Sequence, residues 1–182
     1  MEAQKKSILE RVRDSQHRLY LEFGGKLIGD FHAARVLPGF DPDVKIRLLR
    51  ELSGSADIII CIHAGDIASH KVRADYGITY DKDAMRLIDE LRNRGIEVTG
   101  VVITRCSGEP EALDFKNRLE KHGIRTYLHH SIPGYPSDVD YIVSENGFGS
   151  NPYIEVSQPL VVVTGPGPNS GKMGTCLSQM YH

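Results

Sequence analysis

Long apolar runs are missing from this sequence of 182 residues, and so is the apolar core of a secretory leader. The opening residues, MEAQKKSILERVRDSQ, are charged and helical in pattern. Membrane insertion and secretion find no support here, and a soluble protein of the cytoplasm is the expectation. Cysteine is scarce: Cys61, Cys106 and Cys176 are odd in number, far apart and without any Cys-x-x-Cys pair. Reduced thiols are expected, and a cysteine-built metal site is not. Charge of one sign is not in excess either. The net charge is −2, with basic and acidic residues interspersed. That removes the electrostatic ground for nucleic acid or an anionic membrane as partner. Internal repeats and low-complexity linkers are absent as well.

What remains is an ordinary globular composition, 40% hydrophobic and 25% charged, long enough for one domain with a full core. HRLYLEF alternates like a strand and ends at Gly24-Gly25. DPDVKIRLLREL places Val44, Leu48, Leu49 and Leu52 on one helical face. ADIIICIHA and IEVTGVVITR read as strands covered on both faces. Each is followed by a helical pattern, DKDAMRLIDELRNRG and EPEALDFKNRLEKHG. IRTYLHH and PLVVVTG supply further strands. The alternation predicts an α/β fold, a mostly parallel open sheet with helices on both faces, of the Rossmann-like or P-loop-like kind. The strands at Asp57–His63, Val98–Thr104 and Leu160–Thr164 are expected to be parallel. The polar stretch from Ser131 to Ser157, with Pro133, Pro136 and Pro152, reads as loop with short elements at most.

The segment richest in chemistry is PLVVVTGPGPNSGKMGTCLSQMYH, from Pro159 to His182. A strand that turns sharply into a helix collects backbone N–H groups and the positive end of the helix dipole at one point, where phosphate oxygens bind. Gly165, Gly167 and Gly171 allow close approach, and Lys172 supplies a point charge. Against G-x-x-x-x-G-K-[ST], Gly171-Lys172 is in place. Pro166 stands at the first glycine position and Met173 at the metal-binding hydroxyl. Ser170, Thr175 or Ser178 is then the candidate hydroxyl. The alternative is a Gly/Pro-rich strand-to-helix connection with an incidental lysine. In the helix that follows, Met173, Cys176, Leu177, Met180 and Tyr181 form one apolar stripe with no closing cap. The expectation is an N-terminal part of a longer protein, with the helix of residues 170–182 continuing.

Five separated stretches, YLEFGGKL, DFHAARVLPGFDPD, DYGITYD, GYPSDVDYIVS and the final segment, resemble a family of longer bacterial proteins designated only as domain of unknown function 1846. The likeness covers essentially the whole chain. It implies a nucleotide- or phosphate-related α/β protein and no particular substrate. It also implies a glycine where this chain has Asn169, a residue that tolerates the left-handed conformation.

Other candidates stand outside the loop. Gly24, Gly25 and Lys26, followed by Asp30, His32 and Arg35, suggest a second anion loop with Arg35 as a bidentate clamp; the plain reading is a tight turn with solvated charges. Cys61, His63, Asp66 and His70 come at the end of a buried strand, where their spacing suits a metal and a structural histidine is the plainer reading. Asp81 reads as an N-cap. Asp138 and Asp140, if extended, share one strand face and suit Mg²⁺; otherwise they cap a turn. His129 and His130, if extended, point opposite ways. The resulting expectation is an enzyme that binds ATP, another nucleotide or a small phosphorylated metabolite, with Mg²⁺ on Asp138 or Asp140. Lys172, Arg35 and Asp138 would carry phosphoryl-transfer or ligase-type chemistry. The competing expectation is a non-catalytic anion-binding or homo-oligomerisation module.

Overall fold

A computed structural model describes residues 2–182; the side chains of Glu2 and His32 lie outside that description. Helix α1 (Glu2–Asp14) precedes strand β1 (Leu19–Glu22). Two helices follow, α2 (Phe31–Val36) and α3 (Val44–Leu52), the second burying Ile46, Leu48, Leu49 and Leu52 as its spacing predicts. Strand β2 (Ala56–His63) is buried along nearly its whole length, then come α4 (Ala64–Ala68) and a small antiparallel hairpin, β3 (Val72–Arg73) with β4 (Ile78–Thr79). Helix α5 (Tyr80–Asn93) has Thr79 as its N-cap, so Asp81 lies inside its first turn rather than capping it. The remainder is β5 (Gly100–Thr104), α6 (Pro110–Lys121), β6 (Thr126–Leu128), the one-turn α7 (Val139–Ile142), β7 (Leu160–Thr164) and α8 (Lys172–Tyr181).

The main sheet runs β1-β7-β2-β5-β6, and every neighbouring pair is parallel. The three strands expected to be parallel are therefore so, and the α/β class holds. Alternation along β2 explains why the sequence shows a continuous apolar run. Ile58, Ile60 and Ile62 face a large core shared with α3, α5 and α6. Ile59 and Cys61 face a smaller one with Val102, Val161, Val163, Ile154 and Cys176 of α8. Burial on both faces makes the middle of the strand, Ile58 to Ile62, apolar throughout. The second face is closed partly by irregular chain. That chain is held by Asp57, a buried carboxylate that accepts hydrogen bonds from Thr99 Oγ1 (2.9 Å), Ser157 N (2.6 Å) and Gln158 N (2.7 Å).

Helix α8 leaves part of its apolar stripe uncovered. Lys172, Thr175, Cys176, Ser178 and Gln179 are buried, while Met173 and Met180 of the apolar stripe are 56% and 68% exposed. Hydrogen bonding decides this. Gln179 Oε1 accepts from Ile154 N (2.6 Å), Gln179 Nε2 donates to Pro152 O (3.3 Å), and Ser178 Oγ donates to Phe148 O (3.1 Å). An irregular segment without a ladder partner needs such bonds when it is buried. The polar face of α8 supplies them, and the methionines turn outward.

Candidate functional site

All five strands of the main sheet end on the same side, and the connections from β2 and β7 leave on opposite faces. Ligands in open parallel sheets sit at such a divergence, off the carboxyl ends of the strands. There the chain forms a cleft of about 540 Å³, within the usual size for a small-molecule site. Its floor is the turn from β7 into α8, with Asn169, Ser170, Gly171, Lys172 and Thr175. Glu22 at the end of β1, Thr104-Arg105 at the end of β5, and His129, His130, Tyr135, Phe148 and Asn151 complete the lining.

The turn is shaped by close contact. A side chain at Gly165 would strike the Cys61 carbonyl and Ser170 Oγ. Gly171 has φ of +84°, and a Cβ there would lie 2.5–2.8 Å from three atoms of Thr104. Asn169 is left-handed too, at φ of 57°, as the implied glycine would permit. Carbonyl groups of the turn are taken by outside donors: Thr104 Oγ1 donates to Ser170 O (2.8 Å), Arg105 to Asn169 O and Arg73 to Pro166 O. Its amides are not. The first helical bond from the loop side is Thr175 N to Gly171 O (2.9 Å). Among the described residues, none accepts a hydrogen bond from the backbone N–H of Gly167, Asn169, Ser170, Gly171, Lys172, Met173 or Gly174. Lys172 sits beside them with its side chain only 8% exposed. Its Nζ reaches Gly167 O and Ser170 Oγ at 3.4 Å and Glu22 Oε1 at 3.8 Å, with no shorter contact. A buried ammonium ordinarily has closer partners.

The two histidines both line the cleft, though an extended chain was expected to send them apart. His129 Nε2 donates to Pro152 O (3.2 Å), and burial lowers its pKa from 6.5 to about 4, so it is neutral. His130 Nδ1 donates to Cys106 O (3.0 Å), which leaves Nε2 as its basic nitrogen. Asn151, itself buried, fixes this residue by accepting from His130 N (2.6 Å). Burial pushes the Cys61 and Cys176 thiols up to about 12, which makes them inert neighbours.

Several expected site residues are elsewhere. Gly24, Gly25, Lys26 and Arg35 do not line the cleft. Their loop turns carbonyls inward onto a cation: Lys45 Nζ donates to Gly24 O (2.9 Å), Lys26 O (3.2 Å) and Asp30 Oδ2 (3.3 Å). Lys26 pairs with Asp75 at 2.6 Å, and Arg35 is exposed on α2. The side chain of His32 lies outside the described ones. Asp138 and Asp140 are exposed and do not share a strand face, because the segment is helical. Asp138 accepts from Tyr141 N (3.2 Å) as the N-cap of α7, the alternative reading of that motif. His63 lies 3.5 Å from Asp66, which pairs with Lys71 at 3.0 Å. Sequence reasoning missed Glu22, Thr104, Arg105 and Asn151. The first two close strands β1 and β5, so the carboxyl-end rule was the available signal; nothing local marks Asn151.

Fold and cleft together define a parallel-sheet α/β protein with a glycine-rich strand-to-helix turn in the lining of a large pocket. The family profile described as "Domain of unknown function DUF1846, N-terminal" matches residues 1–182, and the chain belongs to that family. It is 59% identical over 182 residues to UPF0371 proteins of two Clostridium botulinum strains, Eklund 17B and Alaska E43. Identity to a UPF0371 protein of Clostridium tetani is 58% over the same 182 residues. In each case the whole of this chain aligns, and it spans 36% of the relative's length.

Proposed function

We propose that the turn from Gly165 to Lys172 binds the phosphate of a nucleotide or phosphorylated metabolite. One observation carries this: a run of backbone N–H groups without acceptors adjoins a buried, loosely held ammonium in the lining of an open cleft. Phosphate oxygens meet the amides, the helix dipole and Lys172 together. Elsewhere in the lining, Tyr135 and Phe148 stand edge to face with centroids 6.4 Å apart, an aromatic surface for the non-phosphate part of such a ligand. A nucleotide such as ATP fits this division. Phosphoryl-transfer or ligase-type chemistry would act through positioning and charge stabilisation at Lys172, with His130 in the same lining.

Calorimetry with ATP and with inorganic pyrophosphate on the full-length protein tests the reading. Lys172→Ala should weaken binding by about 1.5–3 kcal/mol, the worth of a hydrogen bond to a charged group. Arg35→Ala should leave it unchanged, because Arg35 is exposed outside the cleft. Equal affinity of wild type and Lys172→Ala for both probes would reduce the loop to a plain connection. A second reading, a contact module, is favoured by the outward Met173 and Met180. If a second copy binds there, light scattering will show an oligomer that Met180→Lys dissociates; an unchanged mass would reject it.

A further inference from the structure

Glu22 is the only carboxylate among the residues lining the cleft. It is the last residue of β1, placed beside β7 by the register that sets Glu22 against Val163. Its Oε1 lies 3.8 Å from Lys172 Nζ, and its side chain is 30% exposed, so it faces the same space as the unpartnered amides. Lys172 therefore already neutralises one negative charge. The other cation in the lining, Arg105, donates to Asn169 O. A phosphate dianion entering here joins Glu22, and the anionic charge then exceeds that of the two cations. Either Glu22 repels the ligand or a further cation accompanies it.

We propose that Glu22 is the protein ligand for a divalent cation of the Mg²⁺ class that enters with the phosphate and bridges the two. The inference rests on the phosphate reading above. Mg²⁺ needs no protein cage: one carboxylate, phosphate oxygens and retained waters complete its octahedron. Among the described residues no group of three or more His, Cys, Asp or Glu side chains is arranged to hold a metal. The metal is accordingly bound through the phosphate and Glu22 together, and weakly or not at all without phosphate. Glu22 takes the role the sequence suggested for Asp138 and Asp140, whose carboxylates lie on an exposed helical turn outside the cleft lining.

The test uses inorganic pyrophosphate on the full-length protein, by calorimetry with and without magnesium chloride. Wild type should bind at least about tenfold more tightly with Mg²⁺, a usual size for coupling between two ligands. Glu22→Gln should remove most of that enhancement. A second readout, water-proton relaxation by Mn²⁺, should show protein-bound metal only when pyrophosphate is present, and lose it in Glu22→Gln. Should Glu22→Gln fail to fold, Glu22→Asp decides, its shorter arm reducing the enhancement. An equal Mg²⁺ enhancement in wild type and variant overturns the proposal. So does tighter binding in Glu22→Gln at an unchanged metal ratio, which would mark Glu22 as a plain counter-ion to Lys172. Pyrophosphate and ATP that fail to bind in every condition would remove the phosphate reading, and this inference with it.

Discussion

Gly171→Ala should destabilise the protein by about 2–5 kcal/mol, the sum of a left-handed backbone penalty and overpacking of a tight site. Both causes are local. The residue sits at φ of +84°, and the new methyl would lie 2.5 Å from Thr104 Oγ1, 2.7 Å from its Cβ and 2.8 Å from its Cγ2. Thr104 cannot retreat cheaply. It is 3% exposed at the end of β5, and its hydroxyl is committed to Ser170 O at 2.8 Å. Relief must come from the turn, which displaces Ser170 and Lys172 and spoils the cradle. Guanidinium denaturation measures the stability, and calorimetry with pyrophosphate should show binding lost in parallel. Asn169→Gly is the informative companion, since its backbone is already left-handed. It should leave stability within about 0.5 kcal/mol of wild type. A Gly171→Ala protein as stable as wild type would show that the close approach to Thr104 is not tight.

Acid should weaken the fold through His129. Burial is the chief cause of its low pKa of about 4, with repulsion from His130 and His182 acting in the same direction, while the hydrogen bond to the Pro152 carbonyl opposes them. Below pH 6.5 the unfolded chain takes up a proton that the folded chain refuses until about pH 4. Unfolding thus gains protons across that window, and stability falls as pH falls. The contribution is fully present above about pH 6.5 and reaches a loss of about 3 kcal/mol below pH 4, at about 1.4 kcal/mol per pH unit. Denaturation at about pH 7.5 and about pH 4 in wild type and His129→Gln isolates it, because the carboxylates titrate alike in both. Equal pH dependence in the two proteins would refute the assignment.

The parts of this molecule legible in the sequence are those decided by neighbours in the chain. Strands β2, β5 and β7 are covered on both faces, so their central residues are pressed toward an apolar identity and the runs announce themselves. The turn at Gly165 is legible because positive φ and close approach demand unusual residues in a row. The cleft walls are not, since Glu22, Arg105, His130 and Asn151 come from four separate segments that only the strand order brings together. The orientation of helix α8 is illegible for a related reason. Burial there follows the backbone groups of residues 148–154, which no pattern within the helix reveals. At Asp138 the competition was local: an aspartate able to cap a free N–H turned an alternating stretch into a helical turn.

The connections also carry a direction of growth. From β2 to β5 to β6 the chain steps one way across the sheet, with α5 and α6 over the larger core. Helix α8 leaves β7 over the opposite face, packing Cys176 into the smaller core together with Tyr20 of β1. With right-handed crossovers, a reversal of face is a reversal of heading. Any strand fed from α8 is steered past β1, whose outer edge has no pairing strand among the described residues. In relatives of which this chain spans 36%, that rim is where added sheet would dock, next to the carboxylate of Glu22.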